Sequence, residues 1–113
     1  ASLNILELLK TKIYFADTDP ITGQMSPKNL LDCRKKNKIK NIKAVITMYN
    51  GGDPLNAKAF FKLKKKYKFF LLEDACHALG AKYFFGKRLH HVGSCKHSDI
   101  AAFSFPITSR RGN

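Results

Sequence analysis

The stretch KFFLLEDACHALGA, residues 68–81, decides how this chain is read. Phe69, Phe70, Leu71 and Leu72 form an unbroken apolar run, the pattern of a strand covered on both faces and therefore of a parallel sheet. Glu73, Asp74, Cys76 and His77 come next. Two acids, a thiol and an imidazole stand where a bland turn would have served. In open parallel sheets, ligands collect outside the carboxyl ends of the strands, so the stretch predicts a strand over residues 68–73 with a candidate site at its end. Taken alone, Asp74 reads better as a helix N-cap and His77 as a satisfied surface histidine.

Working outward, residues 12–16 (KIYFA) read as a strand ending at the acidic turn Asp17-Thr18-Asp19-Pro20. Ser26-Pro27 then offers a cap and a first-position proline for a helix. That helix carries Leu30, Leu31 and Arg34 and should fade near Asn37. Residues 43–48 (KAVITM) are the next strand, closed by the turn signal Asn50-Gly51-Gly52-Asp53-Pro54. A helix over about residues 55–67 sets Phe60, Leu63 and Tyr67 on one stripe, with Lys58, Lys62 and Lys65 off it. Downstream, residues 82–92 read as a hairpin turning at Gly86, and residues 100–105 (IAAFSF) as a last apolar strand. Strands alternating with helices at this spacing predict an α/β fold, a mostly parallel sheet with flanking helices.

At 113 residues, with 44% of them hydrophobic, the chain suits one core-forming domain. No apolar run reaches the roughly 20 residues that span a membrane. The start, Ala1-Ser2-Leu3-Asn4, has neither a basic leader nor a Met, so it reads as no signal peptide and as a beginning inside a longer protein. Cys33, Cys76 and Cys95 make an odd set without a Cys-x-x-Cys pair, the usage of reduced cytoplasmic thiols. Lys and Arg number 21 against 8 Asp and Glu, a formal charge of +13. Such an excess can serve nucleic acid or an anionic membrane. Here the lysines are spread along the chain and fall at helical spacing, which favours a solvated helix face over a nucleic-acid partner. His90, His91, Cys95 and His97 crowd four metal-capable side chains together, but their spacing fits no zinc pattern and no metal site is expected. Cys76 is expected to be a small buried residue and not half of a Cys/His nucleophile pair, because it neighbours His77 directly.

LLEDACHALGAKY followed by GSCKHSDIAAFSF resembles the DegT/DnrJ/EryC1/StrS family of pyridoxal-phosphate (PLP) dependent sugar aminotransferases. IYFADTDPITGQMSP and KAVITMYNGGDP stand upstream in the same order and at similar distances. The His of EDACHALGA, where many members carry Gln, is closest to the branch that makes amino sugars for nonulosonic acids. The resemblance covers residue 12 to about residue 105. It implies a partial type I PLP-aminotransferase large domain, residues 1–113 as one partial domain, with the small C-terminal domain absent. It also implies transfer of an amino group, from glutamate in most members, to a keto-sugar nucleotide in polysaccharide or nonulosonic-acid biosynthesis. A cytoplasmic homodimer is the implied intact form.

The resemblance assigns roles residue by residue. Asp74 matches the carboxylate that holds the cofactor's ring nitrogen, and His77 the side chain near its phenolic oxygen. Ser104 matches the serine that contacts the cofactor before the Schiff-base lysine. Tyr49, Asn50 and Gly51 match the loop lying near the site, and Gly93, Ser94 and Asp99 read as structural. The lysine itself is missing. After Ser104 come Phe105-Pro106-Ile107-Thr108-Ser109-Arg110-Arg111-Gly112-Asn113, and without gaps Ser109 stands at the lysine's place. A gapped alignment sets Pro106-Ile107-Thr108 just beyond it instead. Arginine cannot substitute, since its guanidinium stays protonated. The chain alone is therefore expected to be inactive. The other reading is a non-catalytic truncated remnant or a binder of PLP or a sugar nucleotide, with a basic nucleic-acid module behind both.

Overall fold

The computed structural model describes residues 2–105. Pro106, Ile107, Thr108, Ser109 and the two arginines after them lie outside the described residues. After a short helix α1 (Ser2–Leu8), helix α2 (Pro27–Lys36) begins where the Ser-Pro pair predicts. The Ser26 hydroxyl accepts from Asn29 N–H at 3.2 Å, and Asn29 Oδ1 accepts from Ser26 N–H at 2.9 Å. Both of these otherwise orphaned amides are thereby satisfied. Strand β1 (Ala44–Met48), helix α3 (Ala57–Tyr67) and strand β2 (Phe70–Asp74) come next, then the hairpin β3 (Lys82–Phe85) and β4 (Arg88–His91), and finally β5 (Ile100–Ala102).

The sheet has the order β1-β2-β5, all parallel, with β2 in the centre. Its register sets Met48 beside Asp74 and Asp74 beside Ala102, so the carboxyl ends of all three strands lie level. On one face, Val45 and Leu71 pack with Leu30 of α2, Phe60 of α3 and Phe69. Leu63 and Tyr67 join that cluster, as the helical stripe predicts, while Lys58, Lys62 and Lys65 are exposed. The hairpin turns at Gly86, as expected, and docks through Tyr83 against a second cluster of Tyr49, Ala57, Ala75, Ala78 and Val92.

Three expectations need correction. Residues 12–16 are not a strand; the segment lies along α2, with Phe15 C=O accepting from Cys33 Sγ at 3.5 Å. It runs beside a helix and not along a sheet edge, and Phe15 is left exposed. The apolar run at 69–72 is not covered on both faces. Leu71 is buried but Phe70 is 66% exposed, and Met48 and Ile100 share its uncovered side. The last strand is shorter than expected, ending at Ala102.

Asp99, read as structural, ties β2 to the entry of β5. Its Oδ2 accepts from Leu71 N–H at 2.8 Å and its other oxygen pairs with Lys64 of α3 at 3.3 Å. Gly93, read the same way, lies under Phe103, whose ring carbons would stand 2.6 Å from any Cβ there.

Candidate functional site

Because the strands are in register, the residues that leave their carboxyl ends emerge together. Asp74 is the last residue of β2 and is half-buried. Its carboxylate accepts a single hydrogen bond among the described residues, from Cys76 N–H at 3.3 Å. The same carboxylate, beside the Cys76 thiol, pushes that thiol above its ordinary range. Cys76 is half-buried and not buried as expected. Ala75 and Ala78 occupy the core positions on either side of it.

Tyr49 leaves β1 directly across from Asp74, its N–H donating to Asp74 C=O at 3.2 Å. The chain then makes a tight 3-10 turn, Asn50–Gly52, that brings it against His77. Gly51 N–H donates to His77 Nδ1 at 3.4 Å. Gly52 adopts φ +85°, and a Cβ there would stand 2.5 Å from His77 C=O. Only glycine tolerates that backbone and that approach together. From the other side, the buried Gln24 amide donates to Asn50 C=O at 3.1 Å and Asp53 C=O at 2.9 Å. The loop over residues 49–53 is therefore gripped from both sides.

Four of the six residues expected at the site are thus brought together by direct contact: Tyr49, Gly51, Asp74 and His77. Asn50 sits on the same loop and is exposed. Ser104 stands just past the end of β5, beside β2, and is exposed as well. Its backbone lies close enough to the Cys76 thiol to draw that thiol's pKa partly back down, which sets Ser104 next to the Asp74 turn. The Ser109 position lies outside the described residues.

Sequence reasoning missed the group beneath this surface. Glu73 is 3% exposed, yet carries a carboxylate. Tyr49 Oη donates to its Oε1 at 2.6 Å and Ser98 Oγ to its Oε2 at 3.0 Å. Burial and this bond push the Tyr49 phenol far above its usual range. Tyr83, nearby in the hairpin, is pushed up to about 12, by burial first and then by the Glu73 charge. The available signal was strand alternation, which sends neighbours Glu73 and Asp74 to opposite faces. For Gln24 no signal existed.

The histidine-rich stretch is used for packing. His97 stacks on Phe85 with ring centroids 4.1 Å apart, meets Phe61 edge-on, and lies 2.7 Å from Tyr83 Oη through Nδ1. Among the described residues, no three His, Cys, Asp or Glu side chains gather as metal ligands. Nor is any described helix long and apolar enough to cross a membrane.

The sequence profile of the DegT/DnrJ/EryC1/StrS aminotransferase family matches residues 1–109, nearly the whole chain. The chain belongs to this family. It is 32% identical, over 99% of its own length, to a UDP-4-amino-4,6-dideoxy-N-acetyl-beta-L-altrosamine transaminase of Campylobacter jejuni. The counterpart from a second strain of that organism is 33% identical over the same share. An uncharacterized protein of Methanocaldococcus jannaschii is 30% identical over 96% of the chain. The chain spans only 25% to 29% of the length of these relatives. No solved structure matches it. The family is PLP-dependent.

Proposed function

We propose that this chain carries one wall of the cofactor site of a PLP-dependent aminotransferase that aminates a keto-sugar nucleotide. The observation that supports this most is the convergence of Asp74, His77 and the loop from Tyr49 to Gly51 at the carboxyl end of the central strand. The site's residues fit the cofactor. The Asp74 carboxylate is partly sheltered and makes one long hydrogen bond, which leaves capacity to hold a protonated ring nitrogen through a charge-assisted bond. His77 accepts from Gly51 N–H at Nδ1, which leaves Nε2 to meet a phenolic oxygen. Ser104, exposed beside the Asp74 turn, offers a hydroxyl to the same place.

When bound, PLP supplies an electron sink that is strongest with its ring nitrogen protonated. The contribution of this chain is to hold that proton at Asp74, orient the ring with His77, and border the substrate side with Tyr49, Asn50 and Gly51. No lysine comes after Ser104 in these 113 residues, so the chain presents no amine at the place the family uses for one. By itself it binds and does not transaminate. The amino-sugar branch, a nucleotide-linked 4-keto sugar as acceptor, glutamate as donor, a dimeric intact form and a cytoplasmic setting all rest on family membership and on the names of the two Campylobacter relatives. A remnant that binds PLP or a sugar nucleotide without chemistry rests on the same site and on the missing lysine.

The test is a titration of the chain with PLP, followed by the cofactor's visible absorbance, alongside Asp74→Asn. The carboxylate bond to a charged ring is worth about 1.5–3 kcal/mol, so the substitution should weaken binding by tenfold or more. Equal affinity in both proteins, or none in either, sinks the assignment.

A further inference from the structure

We infer that Glu73 is a positioning residue, which fixes the loop over residues 49–52 against His77 by gripping Tyr49. The inference deepens the cofactor-site reading and rests on it for the meaning of the loop. Its own geometry stands on three facts. Glu73 is buried on the core side of β2, although an unpaired carboxylate there would be strongly disfavoured. It is satisfied by two hydroxyls from different segments, Tyr49 Oη just after β1 and Ser98 Oγ just before β5. Its chain neighbour, Asp74, holds the same tyrosine by the backbone, accepting from Tyr49 N–H.

Tyr49 is therefore fixed at both ends by consecutive residues of the central strand. The residue so fixed begins the turn whose Gly51 N–H meets His77 Nδ1, and Gly52 N–H returns to Tyr49 C=O at 2.9 Å. Glu73 is buried and bonds to Tyr49 and Ser98, and of these two Tyr49 is the one that begins the loop against His77. A simple core residue would not need a carboxylate. An apolar side chain at this position would fill the space without the cost of burying charge. What the carboxylate adds is direction, because a 2.6 Å bond to a phenol fixes the ring's end and the backbone behind it.

The experiment uses the 113-residue chain with three variants. Tyr49→Phe removes only the hydroxyl, Glu73→Met removes both acceptors, and Glu73→Gln keeps an acceptor for Tyr49 and a donor for Ser98. The first readout needs no cofactor: the Gly51 amide resonance and its hydrogen-exchange protection. The second is PLP affinity, titrated by visible absorbance. The expected result is a shifted, less protected Gly51 amide and roughly tenfold weaker PLP binding in Tyr49→Phe, tenfold being about 1.4 kcal/mol. Glu73→Met should match it, while Glu73→Gln stays within about twofold of the parent, as a hydrogen-bonding role requires. A merely structural role would lower melting temperatures and leave folded Gly51 and PLP affinity alone. A parental Gly51 amide in Tyr49→Phe overturns the inference, even if Glu73→Met fails to fold. If Asp74→Asn leaves PLP binding intact, the cofactor reading is what fails, and the Gly51 amide still decides whether Glu73 holds the loop.

Discussion

Replacing Gly52 by alanine should damage the loop far more than replacing Gly51, although both glycines have positive φ. Gly51 sits at +72° with nothing within 4 Å of a built Cβ, whereas Gly52 sits at +85° with His77 C=O only 2.5 Å away. Both alanines carry the left-handed penalty of about 1–2 kcal/mol. Only the second must also push the loop off His77, by several tenths of an ångström at least. That movement stretches the Gly51 N–H to His77 Nδ1 bond, already 3.4 Å long, and strains the Gly52 N–H to Tyr49 C=O bond. At about 0.5–1.5 kcal/mol per bond, Gly52→Ala should lose roughly 1–2 kcal/mol more than Gly51→Ala. For a chain of this size that is a further fall of roughly 4–10 °C in melting temperature. Thermal unfolding measured by circular dichroism at one pH reads the difference directly. Equal melting temperatures for the two variants would mean that the loop does not press on His77, and the site geometry built on that contact would be wrong.

Two further outcomes concern the core and the hairpin. Phe60→Ala, at a position 2% exposed and central to the cluster under the sheet, should cost about 3–5 kcal/mol in urea unfolding. That is a large share of a domain's usual stability of roughly 5–15 kcal/mol; a loss under about 1 kcal/mol would contradict the packing. His97 has a pKa lowered from 6.5, first by burial among aromatic rings and then by His90, with Lys96 adding to this and Glu73 opposing it. The unfolded chain therefore binds this proton more readily than the folded one. The His97 contribution is complete above pH 6.5 and is lost as pH falls through the lower folded value. Melting temperature should decline over that window, and His97→Phe should flatten the decline; an unchanged slope would show that His97 is as free to protonate folded as unfolded.

Much of this architecture was legible because it rests on local chemistry. The Ser26-Pro27 cap, the Gly86 turn and the apolar stripe through Phe60, Leu63 and Tyr67 each depend on residues within a turn or two of one another. That the loop at Tyr49 lies near Asp74 and His77 was an expectation from the family resemblance; in the structure the strands end level, which brings the loops leaving neighbouring strands together. The features that escaped reading were long-range. Gln24 reaches the loop across 26 and 29 residues of sequence, and nothing in its own surroundings marks it as buried. Residues 12–16 have a strand's composition but find helix α2 beside them instead of a sheet edge. Composition cannot tell a strand from an extended segment when the partner is what makes the difference.

The two errors at the central strand share one cause. An unbroken apolar run carries no period-two signal, so FFLL could be read as covered on both faces, and nothing in it ranked the two faces. The structure ranks them: helices α2 and α3 lie on the side of Leu71, leaving Phe70 exposed with Met48 and Ile100 on the other. Once Leu71 is known to face the helices, alternation fixes everything after it. Glu73 must join Leu71 in the core, and Asp74 must turn away from it toward the strand end. Of the two adjacent carboxylates, Glu73 is buried and bonded to Tyr49 and Ser98, while Asp74 is half-buried at the strand end. Had β2 entered the sheet one residue out of register, Asp74 would face the core and Glu73 the open side.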